Sequence, residues 1–480
     1  MKKVLLTIIA MFLPLLASAE KVEVGGLNYE VKHEDKTASV TSSVYDGILE
    51  IPETIPVGDE DYTVVAIADN AFYYNTNLLS VTLPKTLKSI GNHAFCNCNY
   101  LISVKFGDGL ESIDYNAFYG CNSLQSVTFG NKVKNIGESA FYGCHSLNQI
   151  YISDLKQWCM IDFASELSNP LRYAHRLFVN KKELKDLVIP DGIETIKPFT
   201  FYNCESITSL VIGSDVSKID KYAFYYCKSL ANITFPETFS SIGAYSFCGC
   251  SIEEIIIPDG ITTIEESTFS GCSKLERITF PESLQIIKHS AFSNCRSLKS
   301  ISIPKSVEFI FQYAFQLNNS VSDDPVEFYL YQEYPPLAYE TTFPHNSKIY
   351  VPEGSIEPYQ NVSPWNNLNL FTYSSAGPDK CAAPVVTYLN GTLSFSSETQ
   401  DAIFHYTLSG SDNQKNIGNS LDLSGKLKVT VYASKTGYEN SETVETEIDL
   451  KGIEGDVDGN GVVNVADHVK LTDIIMNQGN

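Results

Sequence analysis

The stretch AFYGCNSLQSVTFG, Ala117 to Gly130, sets Phe118, Tyr119 and Cys121 in a Gly-containing turn and follows them with an alternating apolar run. Read alone, it has the look of a nucleophile site. Its phenylalanine, however, recurs as Phe72, Phe95, Phe118 and Phe141, then as Phe201, Phe224, Phe247, Phe269, Phe292 and Phe315. The spacing is 23 residues, with one step of 22 and one of 60. A fixed period in this range predicts a solenoid in which each unit covers its neighbour's apolar face. Three residues after eight of these phenylalanines stand Cys98, Cys121, Cys144, Cys204, Cys227, Cys250, Cys272 and Cys295, eight of the twelve cysteines. Catalysis needs one cysteine with its own base, so eight at one repeat position share a packing role. Disulfides are the rival reading. Stacked side chains pointing the same way bridge poorly, and equal spacing selects no pairs, so buried free thiols are expected.

The rest of the unit reads L-x-x-V-x-F, as in LISVKF (Leu101 to Phe106) and LQSVTF (Leu124 to Phe129), with Pro or Gly next. Alternation with period two predicts a half-buried strand that the Pro or Gly ends. A second apolar spacing, L-x-x-I, precedes the next Ala-Phe, so each coil is expected to be one strand plus an irregular or helical return. Strands are expected from Leu78, Leu101, Leu124, Leu147, Leu184, Ile207, Leu230, Ile252, Leu275 and Leu298, in one continuous right-handed coil. The fold class is an α/β solenoid with a parallel sheet.

This A-F-x-x-C-x-x-L-x-x-[IV]-x-[FI]-P pattern resembles the leucine-rich repeats of the BspA-like, or Treponema-type, bacterial surface proteins. The resemblance covers a solenoid over residues 66–373, with an N-terminal β cap over 20–65, and implies adhesion or partner recognition. One break interrupts it. Between Leu147 and Leu184 lie 37 residues, read as one repeat of 23 plus 14 more, the insertion falling at about 153–183. Cys159 and His175 lie there, but no oxyanion turn or orienting Asn accompanies them, so Trp158, Cys159, Ile161 and Phe163 are expected to cap an enlarged coil.

Composition narrows the partners. The 480 residues carry a formal net charge of −23, which argues against nucleic acid and anionic membranes. The start, MKKVLLTIIAMFLPLLASAE, has a basic n-region, a short apolar run and an A-x-A site, so residues 1–19 read as a signal peptide for export. No later stretch is apolar for long enough to span a membrane. The outward strand positions are mostly short hydroxyls, such as Ser80 and Thr82, Ser126 and Thr128, with Gln149 and Tyr151 an exception. Neither paired carboxylates nor a histidine cluster appears among them, so the chain is read as a non-enzyme. A stripe one residue after the repeat Phe holds Tyr119, Tyr142, Tyr202 and Tyr225. These four are candidate ligand-binding residues, for a protein or a glycan outside the cell; the alternative, which we favour, is that they half-cover the return segments of each coil.

After the small-residue linker SSAGPDK, residues 380–450 alternate apolar and polar positions between Asn-Gly, Ser-Gly and Thr-Gly turns, which predicts a small antiparallel β-sandwich. FHYTLSG (Phe404 to Gly410) and VTVYASKTGYENS (Val429 to Ser441) are similar to chitobiase C-terminal-like, fibronectin-III-like modules. In the segment 453–480, DVDGNGVVNVAD puts Asp456, Asp458, Asn460, the Val462 carbonyl, Asn464 and Asp467 at positions 1, 3, 5, 7, 9 and 12 of an EF-hand-like loop. Gly461 holds the sharp turn, and oxygen donors at these spacings wrap one Ca²⁺. The loop resembles the repeat of type I dockerins, which pair two such repeats to dock onto cohesins; a single repeat stands here. The alternatives to an adhesion protein are therefore a non-catalytic subunit docked through this tail to a cohesin-like partner, and an accessory protein of carbohydrate-active enzymes.

Overall fold

The computed structural model describes residues 20–236, 238–317 and 325–373, and beyond them 381–389, 392–400, 402–411, 416–417, 420–421, 426–434, 441 and 443–449. The expected signal peptide, the linker and the Ca²⁺ loop lie outside the described residues. By their contacts the described residues form two compact units, one drawn from 1–276, 286–297 and 311–319, the other from 277–285, 298–310 and 320–480.

The first unit is a parallel-sheet solenoid. Its V-x-F strands begin two residues later than expected in most coils, as in Ser103–Lys105, Ser126–Thr128 and Asp186–Val188. In most coils the leucine or isoleucine before the strand is buried, packing inward from the preceding turn; Leu184 is only half-buried. Strand Ser126–Thr128 pairs in parallel with Ser103–Lys105 on one side and Gln149–Ile152 on the other. The return is not helical: it is mostly turns, with one regular element. It carries a second strand of two residues, such as Ser89–Ile90, Ser112–Ile113 and Asn135–Ile136, stacked in parallel with its copies. The isoleucine of L-x-x-I faces inward, and only two residues extend before the chain bends into the turn. Parallel pairing starts inside the N-terminal segment, where Gly47–Glu50 joins Leu78–Thr82 and Glu60–Ile67 joins Ser89–Ile90.

A third row of bonds links the turns. In the opening stretch Asn116, Phe118 and Gly120 donate their N–H groups to Glu138, Ala140 and Tyr142 of the next coil at 2.7–3.1 Å. This direction of the N–H groups requires two left-handed residues per turn, Asn116 at φ 55° and Gly120 at φ 70°. The second of these positions is filled elsewhere by Asn97, Asn203 and Asn294, the side chain that tolerates this region best after glycine.

The insertion corrects the expectation of an unbroken register. Leu177, not Leu184, heads the strand that pairs with Gln149–Ile152, with Ile150 opposite Leu177, so this coil is 27 residues long. Lys182–Glu183 then folds back antiparallel on Leu177–Val179 and occupies the edge, ending a seven-stranded sheet. A new three-stranded sheet begins at Asp186–Val188. Side chains carry the stacking across this break. Trp158 Nε1 donates to the Thr200 carbonyl at 3.0 Å, and Asn203 Nδ2 to the Arg172 carbonyl at 2.9 Å. Trp158, Cys159, Ile161 and Phe163 are buried, as expected of a cap.

In the second unit, Ser300–Ile303, Glu327–Leu330, Lys348–Pro352 and Asn369–Tyr373 form a four-stranded parallel sheet over buried Tyr359 and Trp365. Its described C-terminal part is antiparallel, with Val385–Leu389 on Thr392–Ser396, and Lys426–Ser434 between Ile403–Ser411 and Val444–Asp449.

Candidate recognition surface

The turn decides what each repeat residue can do. The ten repeat phenylalanines are almost wholly buried, and within each run successive rings lie 5.0–5.7 Å apart and within 9° of parallel. Beside them each ladder thiol reaches back one coil. Cys98 Sγ donates to the Phe72 carbonyl at 3.1 Å, Cys121 to Phe95 at 3.0 Å, and Cys144, Cys227, Cys250, Cys272 and Cys295 repeat the bond at 3.2–3.3 Å. A thiol is small enough for the packed core and supplies a weak donor to a carbonyl's second lone pair. Cys204 differs, because the coil before it is the insertion; its Sγ lies 3.5 Å from Ser206 Oγ instead. All twelve cysteines are free thiols. Burial pushes Cys98 up to about 12 and Cys204 up to about 11, away from the thiolate that nucleophilic chemistry needs.

Cys159 and His175 are engaged separately. Burial pushes the Cys159 thiol up to about 12, whereas His175 Nδ1 faces Asn203 Nδ2 at 2.9 Å and Glu205 at 3.7 Å.

The four candidate tyrosines form two pairs. Tyr119 and Tyr142 stack at 5.3 Å, and Tyr202 and Tyr225 at 5.0 Å. They are unequal in exposure: Tyr142 is 39% exposed, Tyr202 only 9%. Between the pairs sits the helix Leu171–Ala174 of the insertion. Its Tyr173 Oη accepts from the Gly143 N–H at 3.0 Å, and Arg172 Nη1 donates to Tyr202 Oη at 3.4 Å. The stripe is thus interrupted, and Tyr202 is held from both sides.

Two aromatic rows escaped the sequence reading. Phe199, Tyr222 and Tyr245, at the left-handed position two before the repeat Phe, stack at 5.5 and 4.8 Å, and Tyr245 Oη donates to Glu266 at 2.6 Å. In the second unit Tyr329, Tyr350 and Phe371 stack at 4.8 and 5.3 Å on the outward side of the parallel sheet, beside the Lys348–Glu327 ion pair at 3.1 Å. The signal was the V-x-F alternation continuing in EFYL, KIYV and NLFTY after the Phe and Cys markers stop.

The outward face of the seven-stranded sheet is mostly short side chains, with Ser80 Oγ 3.0 Å from Ser103 Oγ. It changes at the insertion, where Tyr151 stands next to Phe178 at 5.0 Å and Arg176 packs its guanidinium over Phe178 at 5.2 Å. Among the described residues no group of three or more His, Cys, Asp or Glu could hold a metal ion, and no helix is long and apolar enough to cross a membrane.

The model of the BspA type leucine rich repeat region matches residues 65–163, 172–250 and 194–322 in six copies, just over half of the chain. The chain belongs to the BspA-type leucine-rich repeat family. Its repeats are similar to those of a leucine-rich repeat protein from Bacteroides ovatus, 21% identical over 73% of this chain and 99% of that one, with a TM-score of 0.47. A leucine rich cell surface protein from Faecalibacterium prausnitzii is 24% identical, with coverage of 63% and 96% and a TM-score of 0.31. The pneumococcal vaccine antigen PcpA is 18% identical, with coverage of 74% and 98% and a TM-score of 0.39. No curated protein matches the chain.

Proposed function

We propose that this family member is an exported, non-catalytic recognition protein that holds a protein or glycan ligand on the surface of its solenoid, as an adhesion protein does. The observation that carries the reading is the division inside each coil. The Phe, Cys and Leu positions repeat and are buried, whereas the outward positions change from coil to coil and stay within reach of solvent. Such a scaffold supplies rigid parallel rows and leaves their chemistry to be set coil by coil. Tyr119, Tyr142, Tyr202 and Tyr225 are proposed contributors at the turn edge. The test is a glycan and protein array probed with the mature chain, residues 20–480. We expect one ligand class to be retained; an array that retains nothing counts against the reading.

A second role rests on the tail. Asp456, Asp458, Asn460, Val462, Asn464 and Asp467 carry a complete oxygen set for one Ca²⁺, and the cation would order a loop whose carboxylates otherwise repel one another. The antiparallel module before it acts in this scheme as a spacer. Calorimetry on the mature chain should show one Ca²⁺ bound per chain, weakened by Asp456→Ala. Capture of a cohesin-like partner by the full chain but not by a chain ending at residue 452 would favour the assembly role over free adhesion.

A further inference from the structure

The insertion, which interrupts the repeat, also changes the outward face of the seven-stranded sheet at its end. Register places Ser126 opposite Gln149 and Thr128 opposite Tyr151, then Tyr151 opposite Phe178 and Phe178 opposite Glu183. Arg176 precedes Leu177, which pairs with Ile150, so its side chain shares the face with Gln149. A row of serines, Ser80, Ser103 and Ser126, and beside it a row of Thr82, Lys105 and Thr128 therefore run into a step made of Tyr151, Phe178 and Arg176. Tyr151 meets only Thr128 on its other side, a side chain too short to cover a ring, and it remains half-buried.

The polar groups at the step are fixed in place. Arg176 Nε donates to Glu183 Oε1 at 2.6 Å, and the guanidinium lies over the Phe178 ring. That bond uses one edge of the fork. Among the described residues it is the only side-chain hydrogen bond Arg176 makes, and 48% of its side chain is exposed, so the paired Nη donors face solvent. Tyr151 Oη donates to Gln149 Oε1 at 3.0 Å, which leaves the Gln149 amide nitrogen to act as a donor; Gln149 stands opposite Ser126 in the register. The ensemble is a planar cation held by Glu183, an aromatic ring, an amide donor and hydroxyls, set in two adjacent rows of one face over about two strand spacings, ~10 Å.

We infer that this step is a binding site for an acidic carbohydrate, with the carboxylate of a uronic acid taken by the Nη pair of Arg176 and the neighbouring sugar lying across Gln149, Ser126 and the open side of Tyr151. The inference rests on the recognition role proposed above and names its ligand class. A guanidinium matches a carboxylate in two parallel bonds, and a stationary one loses little entropy in doing so. Sugar hydroxyls suit the short donors, and the apolar face of the sugar suits the ring. An acidic peptide is the weaker fit. Strand Gln149–Ile152 is paired on both sides, and Leu177–Val179 likewise, so neither offers an open edge to an added strand; the edge is the two-residue Lys182–Glu183, too short for a peptide to extend.

The experiment uses the mature chain and calorimetry with four probes: trigalacturonate, its methyl ester, a hyaluronan tetrasaccharide and hexaglutamate. Binding of at least one uronate oligosaccharide is expected, with at least tenfold loss on esterification or in Arg176→Gln, partial recovery in Arg176→Lys and a few-fold loss in Glu183→Gln, which frees the guanidinium. Lys105→Gln, on the same face but off the step, should leave binding unchanged. If Arg176→Gln does not fold, the ester comparison and Glu183→Gln decide. Failure to bind either uronate, equal affinity for the ester, or tighter binding of hexaglutamate overturns the site. In each of those cases, retention of another ligand on the array by both the mature chain and Arg176→Gln leaves the broader recognition role standing.

Discussion

The turn and the sheet face of one coil come from the same 23-residue period and obey opposite rules. In the turn, Phe118 and Cys121 each meet their own copies above and below; eight residues on from Phe118, Ser126 meets its copies too, but with water on one side. A buried side chain stacked on itself at about the strand spacing must be flat, small or straight to fill the core without strain. That requirement repeats in every coil and keeps the residue type. On the outer face no such filling is demanded, so residue types drift. Repeated residues in this solenoid are therefore structural, and places that depart from the repeat, such as Arg176 and Phe178, are where a ligand should be sought.

The most damaging way to break this contrast is alkali. Burial raises the thiols of Cys98, Cys121, Cys144, Cys204, Cys227, Cys250, Cys272 and Cys295 above their ordinary value of 9.0. A thiol kept protonated by the fold contributes fully below pH 9, and its contribution is lost as pH rises from there through the folded value of about 11 to 12 or above. The unfolded chain then holds fewer protons than the folded one, so stability falls by about 1 kcal/mol per pH unit for each thiol across that window. Denaturant midpoints should drop steeply between pH 9 and about pH 10.5. A flat profile would mean that the ladder is not dry.

Next in size is Phe118→Ala, expected to cost about 3–5 kcal/mol, against about 0.5 kcal/mol or less for Ser126→Ala on the outer face. Equal losses in calorimetric unfolding would erase the contrast. A finer test compares two cysteines. Cys227→Ala removes a bond to the Phe201 carbonyl and should cost about 1 kcal/mol more than Cys204→Ala, whose thiol makes no such bond to a repeat phenylalanine carbonyl and lies 3.5 Å from Ser206 Oγ. The smallest difference lies at the border of turn and surface. Tyr202→Ser should lower stability by about 1 kcal/mol or more and Tyr142→Ser by less than half of that, because Tyr202 is buried by its neighbours and Tyr142 is not. If Tyr142→Ser also loses ligand on the array, the stripe binds where it is exposed and packs where it is covered.

The legible part of the molecule was the part with a copy of itself. The Phe and Cys markers located the turns because each is forced by contact with the next. The outward tyrosines were legible as a row, but not their pairing, since the insertion's helix between Tyr142 and Tyr202 has no repeat to reveal it. Arg176 and Phe178 were hidden for the same reason. RLFVNKKEL (Arg176 to Leu184) alternates like a strand, yet nothing in its spacing tells which coil it joins. The two-residue return strands were missed because a strand so short has no period of its own and exists only by pairing with its copies.

By itself the sequence determined the solenoid, its period, the inward and outward faces of each strand and the burial of the cysteine ladder. All of these follow from local spacing, because a repeat that buries itself against its neighbour writes the same contact into every unit. The tertiary structure alone decided where the sheet breaks, that Leu177 and not Leu184 continues it, and that a hairpin closes its edge. It also decided which of four similar tyrosines stay exposed, and that Arg176 is brought beside Gln149 and Tyr151. Those outcomes depend on hydrogen bonds and ring contacts between residues about 25 to 30 positions apart with no shared motif, and such contacts form only once the coils are stacked.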